Sequence, residues 1–314
     1  MESQKRSRQR RERIDIIAAW STSGIVAERR RLLIEEQFAQ RVTRTGSRFF
    51  VPLPLPHSDD LWYHTQVSFL LEALDALPRR PDIAFDSAWK VLEKTAVTRL
   101  PTRRGGRPNV TDALKLLSAD RRLSGAVTEA LLADVPSQTC GYLFKRLVLR
   151  EPAESSAQAR KRLSTGYGAG DGLPAEIDAF LALVEKRYAA PDTDTARRGA
   201  MLLRRALSGE RLDVGGTPVA LSPQARLRIL LCGLLYTARN ERYHGESFSP
   251  FYSSAASIKT YTHPHYLFLA AYALVHLVWA HDQHPYGPSV DAVEENTVLN
   301  LREARALYTH HWTA

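Results

Sequence analysis

The stretch SPQARLRILLCGLLYTARNERYHG, residues 222–245, decides the fold of this chain of 314 residues. Ser222 followed by Pro223 is typical of a helix start, because serine caps the first turn and proline has no N–H to leave unbonded there. Large aliphatic side chains then predict a helix that packs in the core, and these are Leu227, Ile229, Leu230, Leu231, Leu234 and Leu235. We expect this helix to run to about Tyr243 and to end near Gly245.

The last turns of this predicted helix carry Arg239 and His244, with Asn240 directly after the arginine. A guanidinium suits a phosphate, and an imidazole transfers protons near neutral pH. By chance alone, about one arginine in a chain of this composition has a histidine five positions later. A second such pair, Arg305 and His310, does occur, but it lacks the asparagine, the glycine and the flanking apolar helices. The context of the first pair therefore indicates a site for RNA chemistry without a metal.

A structural role for the same residues is the alternative. Arg239, Arg242 and His244 would all lie in the last turns of the helix, where the helix dipole favours cations. The spacing adds a geometric condition, because five residues place two side chains about 140° apart on a continuous α-helix. Arg239 and His244 therefore converge only if the helix ends near His244 or if a second subunit completes the site.

The composition narrows the class of protein. A formal net charge of +9 and a pI of about 9.7 favour polyanionic partners, nucleic acid first and an anionic membrane second. A hydrophobic content of 44% supports a sizeable core. Cys140 and Cys232 form no C-x-x-C pair, which argues against a disulfide scaffold or a zinc ribbon and favours a reducing cytoplasm. The longest apolar run, Tyr266–Ala280, is short for a membrane span and predicts a buried helix, so no membrane partner is expected.

The distribution of charged residues and of helix-breaking proline and glycine predicts three segments in the chain. Residues 1–48 form a basic helical N-terminal segment, residues 49–290 a helical domain with inserted helices at about 100–221, and residues 291–314 a C-terminal helix. Within the insertion, residues 211–221 predict a small β-hairpin on a Gly-Gly turn. The fold class is therefore all-α, with extra helices and a hairpin insertion.

Local signals set the expected helix bounds. Helices are predicted at about residues 13–40, 61–77, 83–98, 175–189, 194–208, 264–281 and 293–308, with two or three short ones in 111–150. Asp59-Asp60, Thr111 and Asp120 are the expected cap signals. Residues 155–174 are glycine-rich and predict a loop. Its segment 166–172 lacks the Gly-Lys-Ser/Thr of a phosphate-binding loop and is interpreted as a linker.

The segment Arg239-Asn240-x-x-x-His244-Gly245, between two apolar helices, resembles the signature of the HEPN domain superfamily. The similarity is close over about residues 222–285. A looser likeness covers 59–98, where Trp62 and the run from Phe85 to Glu93 are similar to the aromatic-rich first helices of such domains. One departure is Glu246, at the position where toxins paired with a nucleotidyltransferase antitoxin have a tyrosine.

The resemblance implies an all-α bundle that dimerises, so that two copies of the motif meet in one composite site. Many members are metal-independent endoribonucleases that act as toxins or in defence against phage. Carried over, Arg239 and His244 are the catalytic pair and Asn240 positions them. The implied partners are RNA, a second copy of the chain, and an antitoxin or a protein of a defence complex, and no cofactor is implied. The alternative is a non-catalytic HEPN-like scaffold that binds RNA or a nucleotide in a larger defence or CRISPR-type complex.

The chemistry also follows from the residues. Cleavage of RNA by its own 2′-hydroxyl needs a base, an acid and positive charge on the phosphorane, which His244 and Arg239 supply. Arg242 is a further candidate donor to RNA. Lys259 and His263 are candidates to line the RNA site, and Tyr252 is a candidate to stack on a base.

Six histidines lie between residues 244 and 284, which raises the alternative of a metal-dependent hydrolase. Few carboxylates lie near them and no H-E-x-x-H pattern occurs, so no metal site is expected. His276 is interpreted as a core histidine with its hydrogen bonds satisfied.

Overall fold

The structure of the chain is a computed structural model. The structure describes residues 31–46, 48–100, 109–164, 173–189, 192–246, 249–252, 256–282 and 287–313, together with residues 11, 12, 14 and 15. Two sequence predictions lie wholly or partly outside these residues: most of the basic N-terminal segment and the glycine-rich linker at 166–172.

The described residues form a mostly helical fold, which confirms the all-α prediction at that level. The helices of the first half are α1 Leu33–Thr45, α2 Leu61–Ala76, α3 Pro81–Thr98, α4 Val110–Ala119, α5 Ala126–Ala133, α6 Ser137–Leu147 and α7 Ala153–Leu163. Those of the second half are α8 Ala175–Tyr188, α9 Thr193–Leu207, α10 Pro223–Arg228, α11 Tyr236–Tyr243, α12 Ile258–His281, α13 Val290–Tyr308 and α14 His310–Thr313. Short 3₁₀ turns lie at Arg121–Ser124 and Pro250–Tyr252, and a π-helical segment, Ile229–Leu235, joins α10 to α11.

Helix α12 lies at the centre of the core. Every side chain from Pro264 to Trp279 is buried, because helices α3, α13 and α6 cover the helix on several sides. A helix that is apolar all round needs such a cover. The predicted buried helix is therefore confirmed. The described residues contain no helix long and apolar enough to cross a membrane.

The segment quoted first folds as predicted, with one addition. Ser222 caps α10, and its Oγ accepts a hydrogen bond from the Ala225 N–H at 3.2 Å. The helix then widens into π turns over Ile229–Leu235, all seven residues of which are buried. The π segment packs against α7, where a Cβ on Gly233 would lie 3.4 Å from Leu163. Because π turns add residues to each turn, they change the direction in which the side chains of α11 point.

The predicted hairpin is confirmed. Strand β1, Leu212–Val214, pairs antiparallel with strand β2, Thr217–Val219. Gly215 and Gly216 form the turn with φ of +67° and +84°, a conformation that glycine adopts without steric cost.

Several predicted helix bounds are wrong. Residues 153–163 form helix α7 rather than a loop, and Asn109, not Thr111, caps α4 by accepting from the Thr111 N–H. Helix α12 begins six residues before Pro264, because the Ser257 N–H donates to Thr260 Oγ1 at 2.9 Å and starts the helix there. Residues 31 and 32 are extended, so the predicted helix over 13–40 is not continuous.

Two histidines of α12 are buried without polar partners. His265 stacks on Phe49 with ring centroids 4.2 Å apart, and His276 lies 4.4 Å from the Tyr272 ring. Neither His265 nor His276 has a hydrogen-bond partner on its ring nitrogens among the described residues. Burial lowers the pKa of each to about 3, so both rings are neutral at pH 7. His276 is a core residue as predicted, but the expected hydrogen bonds are absent from the described residues.

Candidate functional site

Helix α11 ends in a glycine-capped turn that holds His244. Gly245 has a left-handed φ of +69°. Its N–H donates to the Arg242 carbonyl at 3.3 Å, and the Glu246 N–H donates to the Glu241 carbonyl at 2.9 Å. This pair of bonds is the Schellman motif, which favours glycine at the left-handed position. The predicted helix end is confirmed, and His244 is exposed there.

Arg239 faces a cleft that we call the arginine cleft. It has a volume of about 870 Å³ and is lined by Asp86, Trp89, Lys90, Glu93, Lys94, Val97, Val110, Arg239, Arg242 and Tyr243. The Arg239 guanidinium lies 4.6 Å from the Tyr243 ring centroid and 3.7 Å from a Glu93 carboxylate oxygen. These contacts orient the guanidinium, while 26% of the Arg239 side chain remains exposed.

His244 faces a second cleft, the histidine cleft. It has a volume of about 370 Å³ and is lined by Glu154, Ser155, Gln158, Arg162, Thr237, Asn240, Glu241, His244 and Glu246. Asn240 links the two clefts, because it lines this one while its Oδ1 accepts a hydrogen bond from Arg239 Nη1 at 3.0 Å. The proposed positioning residue therefore touches Arg239 directly.

A single chain thus separates the two residues of the motif. Arg239 lines the arginine cleft and His244 lines the histidine cleft, on different sides of α11. The spacing of five residues explains this, since α11 stays helical until Tyr243 and the glycine-capped turn follows only after it. One copy of the chain does not bring the guanidinium and the imidazole into one cleft.

Arg242 is engaged in a buried network of charges. Its guanidinium donates to both carboxylate oxygens of Asp86, at 3.0 and 2.7 Å, and lies 3.1 Å from Asp82. Arg80 also donates to Asp82, whose side chain is fully buried. Burial opposes the charge of Arg242, but its hydrogen bond to Asp86 and the negative charges of Asp82 and Asp86 outweigh this effect and raise the pKa of Arg242. Arg242 therefore ties the end of α11 to α3.

The other predicted RNA contacts do not lie in either cleft. His263 Nδ1 is 3.0 Å from Thr139 Oγ1, and burial, together with the charges of nearby arginines, lowers its pKa to about 3. Tyr252 lies under Arg80, 5.4 Å from the ring centroid to the guanidinium carbon. Lys259 lines a third depression, between α6 and α9. A contact of these residues with RNA stays a prediction.

Arg162 is a site residue that the sequence did not reveal. It comes from α7, its Nη1 lies 3.3 Å from Thr237 Oγ1, and its guanidinium stacks 4.8 Å from the Tyr236 ring centroid. Burial lowers its pKa from the usual value, but arginine stays a cation at neutral pH. The signal was present in Pro152 before the helix and in the basic last turn. Arg162 is therefore the guanidinium that shares a cleft with His244.

Two carboxylates of the histidine cleft already have partners. Glu241 is nearly fully buried and accepts from Arg146, with one of the two contacts at 2.9 Å. Glu246 accepts a hydrogen bond from Ser155 Oγ at 2.8 Å. These bonds hold α7 and α6 against the end of α11. The cleft thus presents an exposed imidazole, a guanidinium and an amide, which together can move a proton and hold an anion.

The part of the chain that the structure describes has no group of three or more His, Cys, Asp or Glu side chains placed to hold a metal ion. Comparison of the chain with protein-family models, with curated proteins and with solved structures found no match.

Proposed function

We propose that this protein is a metal-independent endoribonuclease of the HEPN type, acting as a toxin or an anti-phage defence effector. One observation carries the proposal: a capped helix end presents an exposed His244 next to an Asn240 that is hydrogen-bonded to Arg239. The net charge of +9 suits an RNA substrate.

The reaction uses the 2′-hydroxyl of the RNA as nucleophile. His244 takes the proton of this hydroxyl or, in its protonated form, donates one to the departing 5′-oxygen. The 2′-oxygen bonds to phosphorus as the bond from phosphorus to the 5′-oxygen breaks, which leaves a 2′,3′-cyclic phosphate and a 5′-hydroxyl. A guanidinium offsets the negative charge that develops on the phosphorane.

A second copy of the chain supplies the missing geometry. Because Arg239 and His244 of one copy line separate clefts, Arg239 of one copy acts with His244 of another. A two-fold dimer meets this condition, since a symmetric interface places the same two surfaces opposite each other.

The separation of the two clefts also favours a second candidate, a non-catalytic HEPN-like module that binds RNA. In that case Arg239, held between Glu93 and Tyr243, and Arg242, held by two aspartates, stabilise the end of the helix. Cleavage would then be absent while RNA binding persists.

Subunit mixing separates the two candidates. Purified protein is incubated with total cellular RNA in EDTA, and new ends with cyclic phosphates are mapped. The variants His244→Ala and Arg239→Ala are each expected to abolish cleavage while the dimer persists by light scattering. Mixing the two variants is expected to restore part of the activity, because a mixed dimer keeps one intact Arg239 and one intact His244 on different chains.

Three results would contradict the proposal. Binding without cleavage by the parent protein supports the non-catalytic module. Inhibition by EDTA supports a metal-dependent hydrolase. Full activity of His244→Ala removes the imidazole from the mechanism.

A further inference from the structure

A third depression in the surface lies between α6 and α9, and Arg146 in its lining is paired with Glu241 of the histidine cleft. We call it the basic groove. Its volume is about 900 Å³, and its basic lining residues are Lys145, Arg146, Arg197, Arg198, Arg205 and Lys259. Among the described residues that line it, none is an aspartate or a glutamate. Such an accumulation of one sign of charge in a concave surface attracts polyanions.

Five of the six cations that line the groove fall into two sets. Arg146 and Arg205 are held by carboxylates that lie outside the lining, Glu241 and Glu210. Lys145 is exposed, and Arg197 is 76% exposed with its nearest carboxylate 3.8 Å away on the same helix. Ion pairs at such exposed positions are weak and exchange readily for a phosphate. Arg197 and its neighbour Arg198 therefore offer charges that a ligand can use.

Close packing keeps the floor of the groove closed. A Cβ on Gly199 would lie 2.4 Å from the Phe144 ring and 2.9 Å from Tyr188 Cβ. The absence of a side chain at Gly199 lets α9 approach α6 and α8 closely, so the basic side chains surround a depression with packed walls. Tyr188 contributes aromatic surface to those walls, whereas the Tyr142 ring is covered by Arg146 and packs against His263.

We propose that the basic groove binds a segment of single-stranded RNA, with Lys145, Arg197 and Arg198 contacting phosphates. A concave groove that combines cations with the Tyr188 ring suits a flexible strand, because the backbone follows the charges while a base stacks on the aromatic face. A membrane surface is flat and does not fit into a concave groove. The groove is a binding site beyond the catalytic proposal, and strand binding there does not depend on whether cleavage occurs.

Fluorescence anisotropy with a labelled single-stranded oligouridine in EDTA tests this groove. The triple variant K145Q/R197Q/R198Q removes the three cations. The control triple R44Q/R79Q/R302Q removes equal charge at exposed positions that line none of the three depressions described above. Circular dichroism establishes that both variants are folded.

The groove variant is expected to bind about 30-fold more weakly at 0.1 M salt, and the slope of log K against log salt is expected to fall by about 2, as for the loss of three phosphate contacts to a single strand. The control triple is expected to change the affinity less than about threefold. Equal weakening by both triples, or no binding by the parent protein, overturns the proposal.

Two further arms separate this proposal from the others. His244→Ala is expected to bind the oligouridine as tightly as the parent protein, so a failure of catalysis leaves the groove intact. If the groove variant binds RNA as tightly as the parent protein and cleavage persists, the groove proposal is overturned and the catalytic proposal is not. The second arm measures binding to anionic vesicles. If the three cations are needed for binding to vesicles but not for binding to RNA, the groove proposal is also overturned.

Discussion

Replacing Gly199 by alanine tests the packing beneath the basic groove. Gly199 lies in the middle of α9, where alanine is intrinsically better than glycine by about 1 kcal/mol. The added Cβ, however, would lie 2.4 Å from two ring atoms of Phe144. Phe144 is buried, so its ring is held by the residues packed around it.

The size of the effect follows from these distances. Ordinary contacts between carbon atoms are about 3.5–4.0 Å, so the Phe144 ring and α9 must separate by about 1 Å. Overpacking costs about 1–3 kcal/mol, and an overlap of about 1 Å lies in the upper part of that range, about 2–3 kcal/mol, which exceeds the gain in helix propensity. We therefore expect Gly199→Ala to lower the free energy of unfolding by about 1–2 kcal/mol.

Gly141 provides a matched control on the facing helix α6. A Cβ built on Gly141 meets nothing within 4 Å. There the same substitution is expected to raise the free energy of unfolding by about 0.5–1 kcal/mol, through helix propensity and a smaller unfolded ensemble.

Urea denaturation followed by circular dichroism at 222 nm measures both variants. The two glycine-to-alanine substitutions are expected to change the stability with opposite signs, so that their urea midpoints move in opposite directions at an unchanged m-value. Stabilisation by Gly199→Ala as large as that of Gly141→Ala would refute the close approach of α9 to α6.

Three further predictions concern charge and protonation. Asp82→Asn is expected to lower the free energy of unfolding in urea by about 3–5 kcal/mol, because it leaves Arg242 partly unpaired beside a fully buried side chain. Asp86→Asn, at a side chain that is 38% exposed, is expected to lower it by less than about 1 kcal/mol. Equal losses for the two variants would contradict the network. Burial lowers the pKa of His276 to about 3, whereas its ordinary value is 6.5. Between these pH values the ring gains a proton when the chain unfolds, so the folded state loses stability as the pH falls below 6.5. Replacing His276 by leucine is expected to reduce the pH slope of stability by about 1.4 kcal/mol per pH unit between pH 6 and 4, and an unchanged slope would show that the ring is not the titrating group. Arg162→Gln is expected to slow RNA cleavage about a hundredfold with oligouridine affinity unchanged, and an unaltered rate would remove Arg162 from the histidine cleft's chemistry.

Short-range signals in the sequence predicted much of the fold because their causes are local. Asp60 and Ser222 cap their helices by accepting from backbone N–H groups three residues on. Gly215 and Gly216 make the hairpin turn, and Gly245 ends the site-bearing helix. Each of these outcomes depends on the conformational preferences of a few neighbouring residues.

The sequence predictions were wrong where tertiary contacts outweigh the local conformational preference of the residues. Helix α7 is rich in Ala, Ser and charged residues and has little apolar periodicity, yet it packs on the π segment through Leu163 and Gly233. The start of α12 was misplaced because Pro264 is a strong breaker in isolation, whereas burial among α3, α6 and α13 stabilises the helix around it.

The sequence alone determined that an arginine, an asparagine and a histidine lie together at the end of a buried helix. The apolar helix period and the glycine cap both depend only on residues that are consecutive in the chain. Only the tertiary structure decided that Arg239 and His244 enter different clefts and that Arg162 accompanies the histidine. The direction of each side chain depends on the π turns before α11 and on which helices, α3 or α7, stand opposite it. Those neighbours come from chain segments more than 70 residues away (Arg162 pairs with Thr237 across 75 positions), and no local pattern records them.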